Sequence, residues 1–168
     1  MNDRFLFRGK RLNNGEWMTG YLIGGENPNI LGVDRRGMAI PVDSDTIGQC
    51  TGVCDKLKNL VFEGDIIEFH SPITTSLGGE KENFEYWLEY YGRCVVEFGA
   101  YEYQIDCDGC GGAIECQCGN NYNSAYGFYL YFPKTKSRVH IIAGDFSAAA
   151  IVSGNVHDDP ELMEVKSE

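Results

Sequence analysis

Basic residues are scarce in this sequence, and so are histidines and long apolar runs. Fourteen Lys and Arg stand against 25 Asp and Glu, a formal charge of −11 over 168 residues. A protein that wraps phosphate backbones draws its affinity from Lys and Arg, so this balance argues against nucleic acid as a direct partner. It suits a domain kept apart from its neighbours by its own charge, or one that meets a basic protein. No apolar run approaches the ~20 residues of a membrane span. The opening MNDRFLFRGKRLNNGEW is charged throughout and lacks the apolar core of a signal peptide. The expectation is a protein of the cytoplasm with no membrane partner. The three histidines, His70, His140 and His157, share no metal-ligand spacing. A phosphate loop ending in Lys-Ser/Thr, G-x-S-x-G and H-E-x-x-H are all absent, and with them the signatures of the common NTPases, hydrolases and zinc proteases.

Cysteine is present but unevenly spread. Of seven cysteines, Cys107, Cys110, Cys116 and Cys118 fall within CDGCGGAIECQC. The count is odd, cytoplasmic thiols stay reduced, and a chain of this length buries enough apolar surface to fold without staples. A disulfide framework is therefore the weaker account. Thiolates are the ligands structural zinc prefers, and a C-x2-C pair with glycines around it can present two sulfurs to one ion. The second pair is C-x-C after a five-residue spacer, which departs from the usual repeat of two-residue spacers. Two readings stay open: one structural zinc, with Cys50 or Cys54 as substitute ligands, and plain thiols in a glycine-rich extension at about 106–126. Iron–sulfur ligation is a smaller third.

Twenty-one glycines and 12% aromatics point to short Tyr- and Phe-rich strands joined by tight turns, a mainly β fold with at most one short helix. RFLFRGKRL and EWMTGYLIG flank Asn13-Asn14-Gly15, which predicts a hairpin over residues 4–23 closed by a two-residue Asn-Gly turn. NILGV and MAIPV form a second pair around DRRG, with Pro41 at an edge because it cannot donate to a ladder. VFEGDIIEFH reads as a turn at Gly64-Asp65 entering a barrel strand. FEYWLEYYG fits helix and strand equally over 82–92. Arg93 to Ile105 suggests a hairpin turning near Gly99. FYLYF and RVHIIAG add two strands around Pro133 to Ser137, and AAAIVSGNV a last one. The natural division is 1–55, the N-terminal hairpins, and 56–168, a small β-barrel region carrying the cysteine extension.

Three blocks are more specific. FRGKRLNNGEWMTGYL at 7–22, TIGQCTGVCDKLKNLVFEGDII at 46–67 and IVSGNVHDDPEL at 151–162 resemble the YopX family of phage and prophage proteins. The matching positions are Gly48, Gln49, Thr51, Gly52, Asp55, Lys56, Phe62, Glu63, Gly64 and Asp65, then Gly154, Asn155, Pro160, Glu161 and Leu162. The resemblance implies a mostly β protein with a small C-terminal barrel, encoded by a phage or prophage and acting in the bacterial cytoplasm. It implies no activity. The chain departs from the pattern at Cys50, where relatives carry an aromatic, and at Leu57-Lys58, where they often carry Asn-Gly, so no two-residue hairpin is expected there.

The remaining chemistry is sparse. Glu63 and Asp65, two apart, suit a general acid and base or a divalent cation, with His70 nearby. Gly-Asp before an apolar run is also ordinary turn chemistry, and that reading is preferred. YGFYLYF and YWLEYY could stack on bases in a small barrel, but Lys and Arg are not interleaved with them, so packing accounts for them better. The expected function is a non-enzymatic accessory protein that binds a protein partner or self-associates. The alternatives are a metal-dependent or nuclease-like enzyme using Glu63 and Asp65, and a small-barrel nucleic-acid binder.

Overall fold

The computed structural model describes residues 3–25, 27–32, 38–70, 92–104, 122–140 and 147–164. The cysteine cluster at 107–118 and the ambiguous 82–92 segment lie outside these residues.

The fold is mainly β, in two antiparallel sheets. Its strands are β1 (Phe7–Lys10), β2 (Trp17–Ile23), β3 (Asn29–Gly32), β4 (Ala39–Pro41), β5 (Gly48–Cys54), β6 (Leu60–Phe62), β7 (Asp65–Phe69), β8 (Cys94–Gln104), β9 (Tyr122–Phe132), β10 (Ser137–His140) and β11 (Ala150–Asn155). Short 3-10 turns occupy Asp3–Phe5, Ser44–Thr46 and Pro160–Met163. The chain divides into two compact units. The first takes residues 1–53 and 60–63, the second 54–59 and 64–168, so the seam expected at residue 55 falls inside a stretch that alternates between units.

In the first unit the sheet runs β4-β3-β2-β1-β5-β6. β1 and β2 pair from Phe7↔Gly20 to Lys10↔Trp17, which is the expected hairpin. Its turn differs from the two-residue form. Gly15 N–H donates to the Arg11 carbonyl at 2.9 Å and Arg11 N–H to that of Glu16 at 2.9 Å, so the loop is the four residues Leu12 to Gly15. Only Gly15 takes the left-handed backbone there (φ 71°); Asn14 instead bonds through its side chain to Glu16. Pro41 does lie on the edge strand β4. Just past it, a bridge between Val42 and Arg11 returns the chain to the end of β1. Met18, Ile30 and Val42 are buried together, with Phe7, Ile40 and Ile47 packed around them, and Leu6, Cys50 and Phe62 form a second cluster.

In the second unit the order is β10-β9-β8-β7-β11. β7 reads DIIEF, and Ile66 and Ile67, whose side chains leave the strand on opposite faces, are both fully buried. The sheet is thus covered on both sides at β7. Phe69 and Phe132 stack with centroids 6.5 Å apart. The edge strands β10 and β11 do not pair with each other, so among the described residues this sheet is not a closed barrel. The turn expected near Gly99 is absent: β8 runs straight through, and Gly99 sits mid-ladder opposite Gly127.

Candidate functional site

Every position singled out by the three sequence blocks lies among the described residues, and most serve backbone geometry. Asp55 follows β5 and is completely buried. Its Oδ1 accepts from the N–H groups of Leu57 and Asn59, both at 2.8 Å. Its Oδ2 accepts from Asn59 Nδ2 at 3.0 Å and from Val152 N–H, on β11, at 3.3 Å. Burial by itself would raise this carboxyl's pKa. The bonds from Asn59, Val152 and Leu57 outweigh it and hold the pKa below the ordinary value. Asp55 is therefore an ionised clamp on the β5–β6 turn, and nearby Lys56 N–H donates to Ala150 at 2.8 Å. The turn is a three-residue loop with Lys58 in the left-handed region at φ 70°, where glycine or asparagine is usual. Lys58 itself takes the positive φ, and the carboxylate holds the loop by accepting from Leu57 and Asn59 N–H.

A second clamp holds the Gly64 turn. Gly64 adopts φ 82°; its N–H donates to Val96 and its carbonyl accepts from Val156 N–H at 3.0 Å and from Asn155 Nδ2 at 2.8 Å. The other end of the Asn155 amide accepts from His157 N–H at 3.0 Å, and Asn155 N–H donates to Asp159 Oδ2 at 3.1 Å. A Cβ on Gly154 would stand 2.6 Å from that same oxygen, which is why the position has none. Asp65 pairs with Asn155 across β7 and β11 and is buried.

The remaining positions fit the same pattern. A Cβ on Gly48 would meet the Glu63 carbonyl oxygen at 2.4 Å. Gln49 donates through Nε2 to the Arg4 carbonyl at 3.0 Å, and its own carbonyl receives Glu63 N–H. Buried Thr51 donates to Val61 at 2.9 Å. Gly52 has φ 80° and would clash with the Arg4 side chain. Arg8 lies over Trp17 and Phe62, 4.8 and 4.9 Å from the ring centroids, and donates to the Glu63 carbonyl.

The carboxylates of the enzyme alternative differ in burial: Glu63 is half-buried and Asp65 is buried. Glu63 belongs to the first unit and Asp65 to the second. His70 stands 4.0 Å from Glu68, which also takes two bonds from Arg93. Among the described residues no group of three or more His, Cys, Asp or Glu is placed to hold a metal ion. Cys50 and Cys94 are buried, Cys54 half-buried, and none forms a disulfide; burial pushes the Cys94 thiol well above its usual pKa. The aromatic run divides between two fates: Tyr129 and Phe132 are buried, whereas Tyr126 is 75% exposed. Arg138, brought over Tyr129 and Tyr131 by the β9–β10 pairing, is a cation that the linear order did not place beside them.

The geometry defines a class, a mainly β protein of two antiparallel sheets whose turns are pinned by buried polar side chains. No family model matches the chain, and no curated protein matches it. Among the described residues no helix is long and apolar enough to cross a membrane.

Proposed function

We propose that this is a non-catalytic accessory protein of a phage or prophage that works by binding another protein. The observation that carries the reading is the uneven distribution of charge around exposed aromatics. Eighteen of the 25 acidic residues but only eight of the 14 basic ones belong to the second unit, where Phe98 and Tyr126 are exposed; the first unit exposes Phe5 and Tyr21 in a nearly neutral setting. Exposed aromatics in an acidic setting suit a basic protein, through charge complementarity and cation–π contact. The phage setting rests on the three YopX-like blocks. The non-catalytic part is supported by the work their polar residues already do: Asp55 and Asn155 spend their side chains on backbone groups.

The test is affinity capture from cells carrying the phage or prophage, followed by titration of each purified candidate against the purified protein. The expected result is a basic partner whose affinity falls as ionic strength rises from about 0.05 to about 0.5 M. Failure to reconstitute any complex, with light scattering giving a lone monomer throughout, would count against the reading.

A further inference from the structure

The β8–β9 ladder is longer than its neighbours. It runs from Val95↔Tyr131 to Gln104↔Tyr122, but β7 pairs with β8 only at Cys94 and Val95, and β10 with β9 only at residues 129–132. From Phe98↔Phe128 outward, seven register pairs have no third strand beside them among the described residues. A two-stranded ribbon of this kind is marginal by itself, and among the described residues its strand edges are open.

Its two faces differ. On one, Tyr101 and Tyr129 pack with centroids 4.8 Å apart and both are buried, Tyr129 donating its hydroxyl to Glu97 at 2.5 Å. On the other, the ladder starts with buried Val96, Leu130 and Phe132 and then emerges as Phe98, Phe128, Tyr126, Glu102 and Ser124. Phe98 contacts Phe128 at 4.8 Å and meets Tyr126 edge-on at 5.2 Å, while remaining 40% exposed. These rings hold one another in place without being covered.

Charge indicates what covers them. The two strands carry Glu97 and Glu102 and no Lys or Arg, and Glu102 is exposed on the same face as the rings. A second copy would bring two such faces, each with its exposed Glu102, against each other in molecules of charge −11, and a nucleic acid would add phosphate to the same field.

We propose that the exposed face of the β8–β9 ribbon, centred on Phe98, Tyr126 and Glu102, docks an extended Lys- or Arg-bearing segment of a partner protein. Cationic side chains lie over the rings and pair with Glu102, while the segment's backbone follows an open strand edge. This rests on the protein-binding reading above and names the surface that serves it.

The probe is a labelled peptide of alternating Lys and Val, about ten residues long to match the ribbon, with a Glu-Val peptide as its counterpart. Fluorescence anisotropy with the full chain should show saturable binding of the basic peptide and none of the acidic one. Phe98→Ser with Tyr126→Ser should weaken it about tenfold, the loss of two cation–π contacts, and Glu102→Lys should weaken it further. Tyr126→Phe should bind like the parent. Tyr126→Ser alone, at an exposed site, should keep the parent's melting temperature, so its binding loss cannot be charged to misfolding. Equal binding by parent and ring variants would overturn the proposal, as would a dimer abolished by Tyr126→Ser, or single-stranded DNA competing for the same rings. If a captured partner binds the ring variants as tightly as the parent, the ribbon is wrong and protein binding survives. If neither peptide nor partner binds, both readings fail.

Discussion

Replacing Asp55 tests the clamp on which both the β5–β6 turn and β11 depend. The carboxylate accepts four hydrogen bonds in full burial. Leu57 and Asn59 are exposed turn residues, so part of what they lose on truncation returns as bonds to water. Val152 N–H, inside the β7–β11 ladder region, has less access to replacement. Counting the equivalent of two charge-assisted bonds at about 1.5–3 kcal/mol each, Asp55→Ala should cost about 3–6 kcal/mol. That is a large share of the roughly 5–15 kcal/mol that holds a domain together, and urea unfolding followed by circular dichroism would show it as a lower midpoint. Asp55→Asn keeps the shape. Its one oxygen can still serve Leu57 and Asn59, and the Asn59 amide can turn to accept, but its NH2 faces Val152 N–H donor to donor, a cost of about 1–3 kcal/mol. Proton linkage gives a further signature. Because the folded carboxyl titrates below its unfolded value, the clamp's contribution is complete above the ordinary pKa of about 3.9 and is lost as pH falls through the folded value. The stability gap between parent and Asp55→Asn should therefore close in acid. A gap that stays constant down to about pH 2.5, or Asp55→Ala within about 0.5 kcal/mol of the parent, would refute this reasoning.

Other substitutions probe the same architecture. Asn155→Ala leaves the Gly64 carbonyl with Val156 N–H alone and strips His157 N–H of its acceptor, and should cost about 1–3 kcal/mol in thermal or urea unfolding, whereas a loss below about 0.5 kcal/mol would mean water replaces the amide. Gly48→Ala places a methyl 2.4 Å from a backbone oxygen, while Gly25→Ala meets nothing within 4 Å; the first should cost at least about 1–3 kcal/mol and the second stay within about 0.5 kcal/mol. Lys58→Gly relieves the left-handed backbone at an exposed site and should stabilise by about 0.5–1 kcal/mol, a rise in melting temperature that a mere surface change would not give.

Local chemistry was legible in the sequence where the partner lies within a few residues. The hairpin over 4–23, Pro41 on an edge and the need for an unusual turn at Leu57-Lys58 all follow from propensity and φ requirements. The loop at Leu12 to Gly15 is longer than the Asn-Gly signal implies because only Gly15 of that pair takes the positive φ. Gly99 reads as a turn and lies in a strand because glycine carries the same local signal in both. What propensity cannot carry is the distant partner. Asp55 reaches Val152 across 97 residues and Asn155 reaches Gly64 across 91, and nothing in either neighbourhood announces the other. The YopX-like positions did include Asp55, Gly64 and Asn155, without an assigned role, but not Val152. For CDGCGGAIECQC the sequence remains the source: roughly one equivalent of zinc in the parent, and none after Cys107→Ser with Cys110→Ser, would decide for a metal.

The alternation of the chain between its two units at residues 53/54, 59/60 and 63/64 bears on how the protein can be divided. No single cut releases either unit whole. A break at residue 55 takes Leu60–Phe62 from the first sheet and parts the β5–β6 turn from the strand that enters it. Limited proteolysis should therefore give fragments that stay associated or unfold, and a rearranged chain in which each unit became contiguous would have to rejoin both ends of that hairpin.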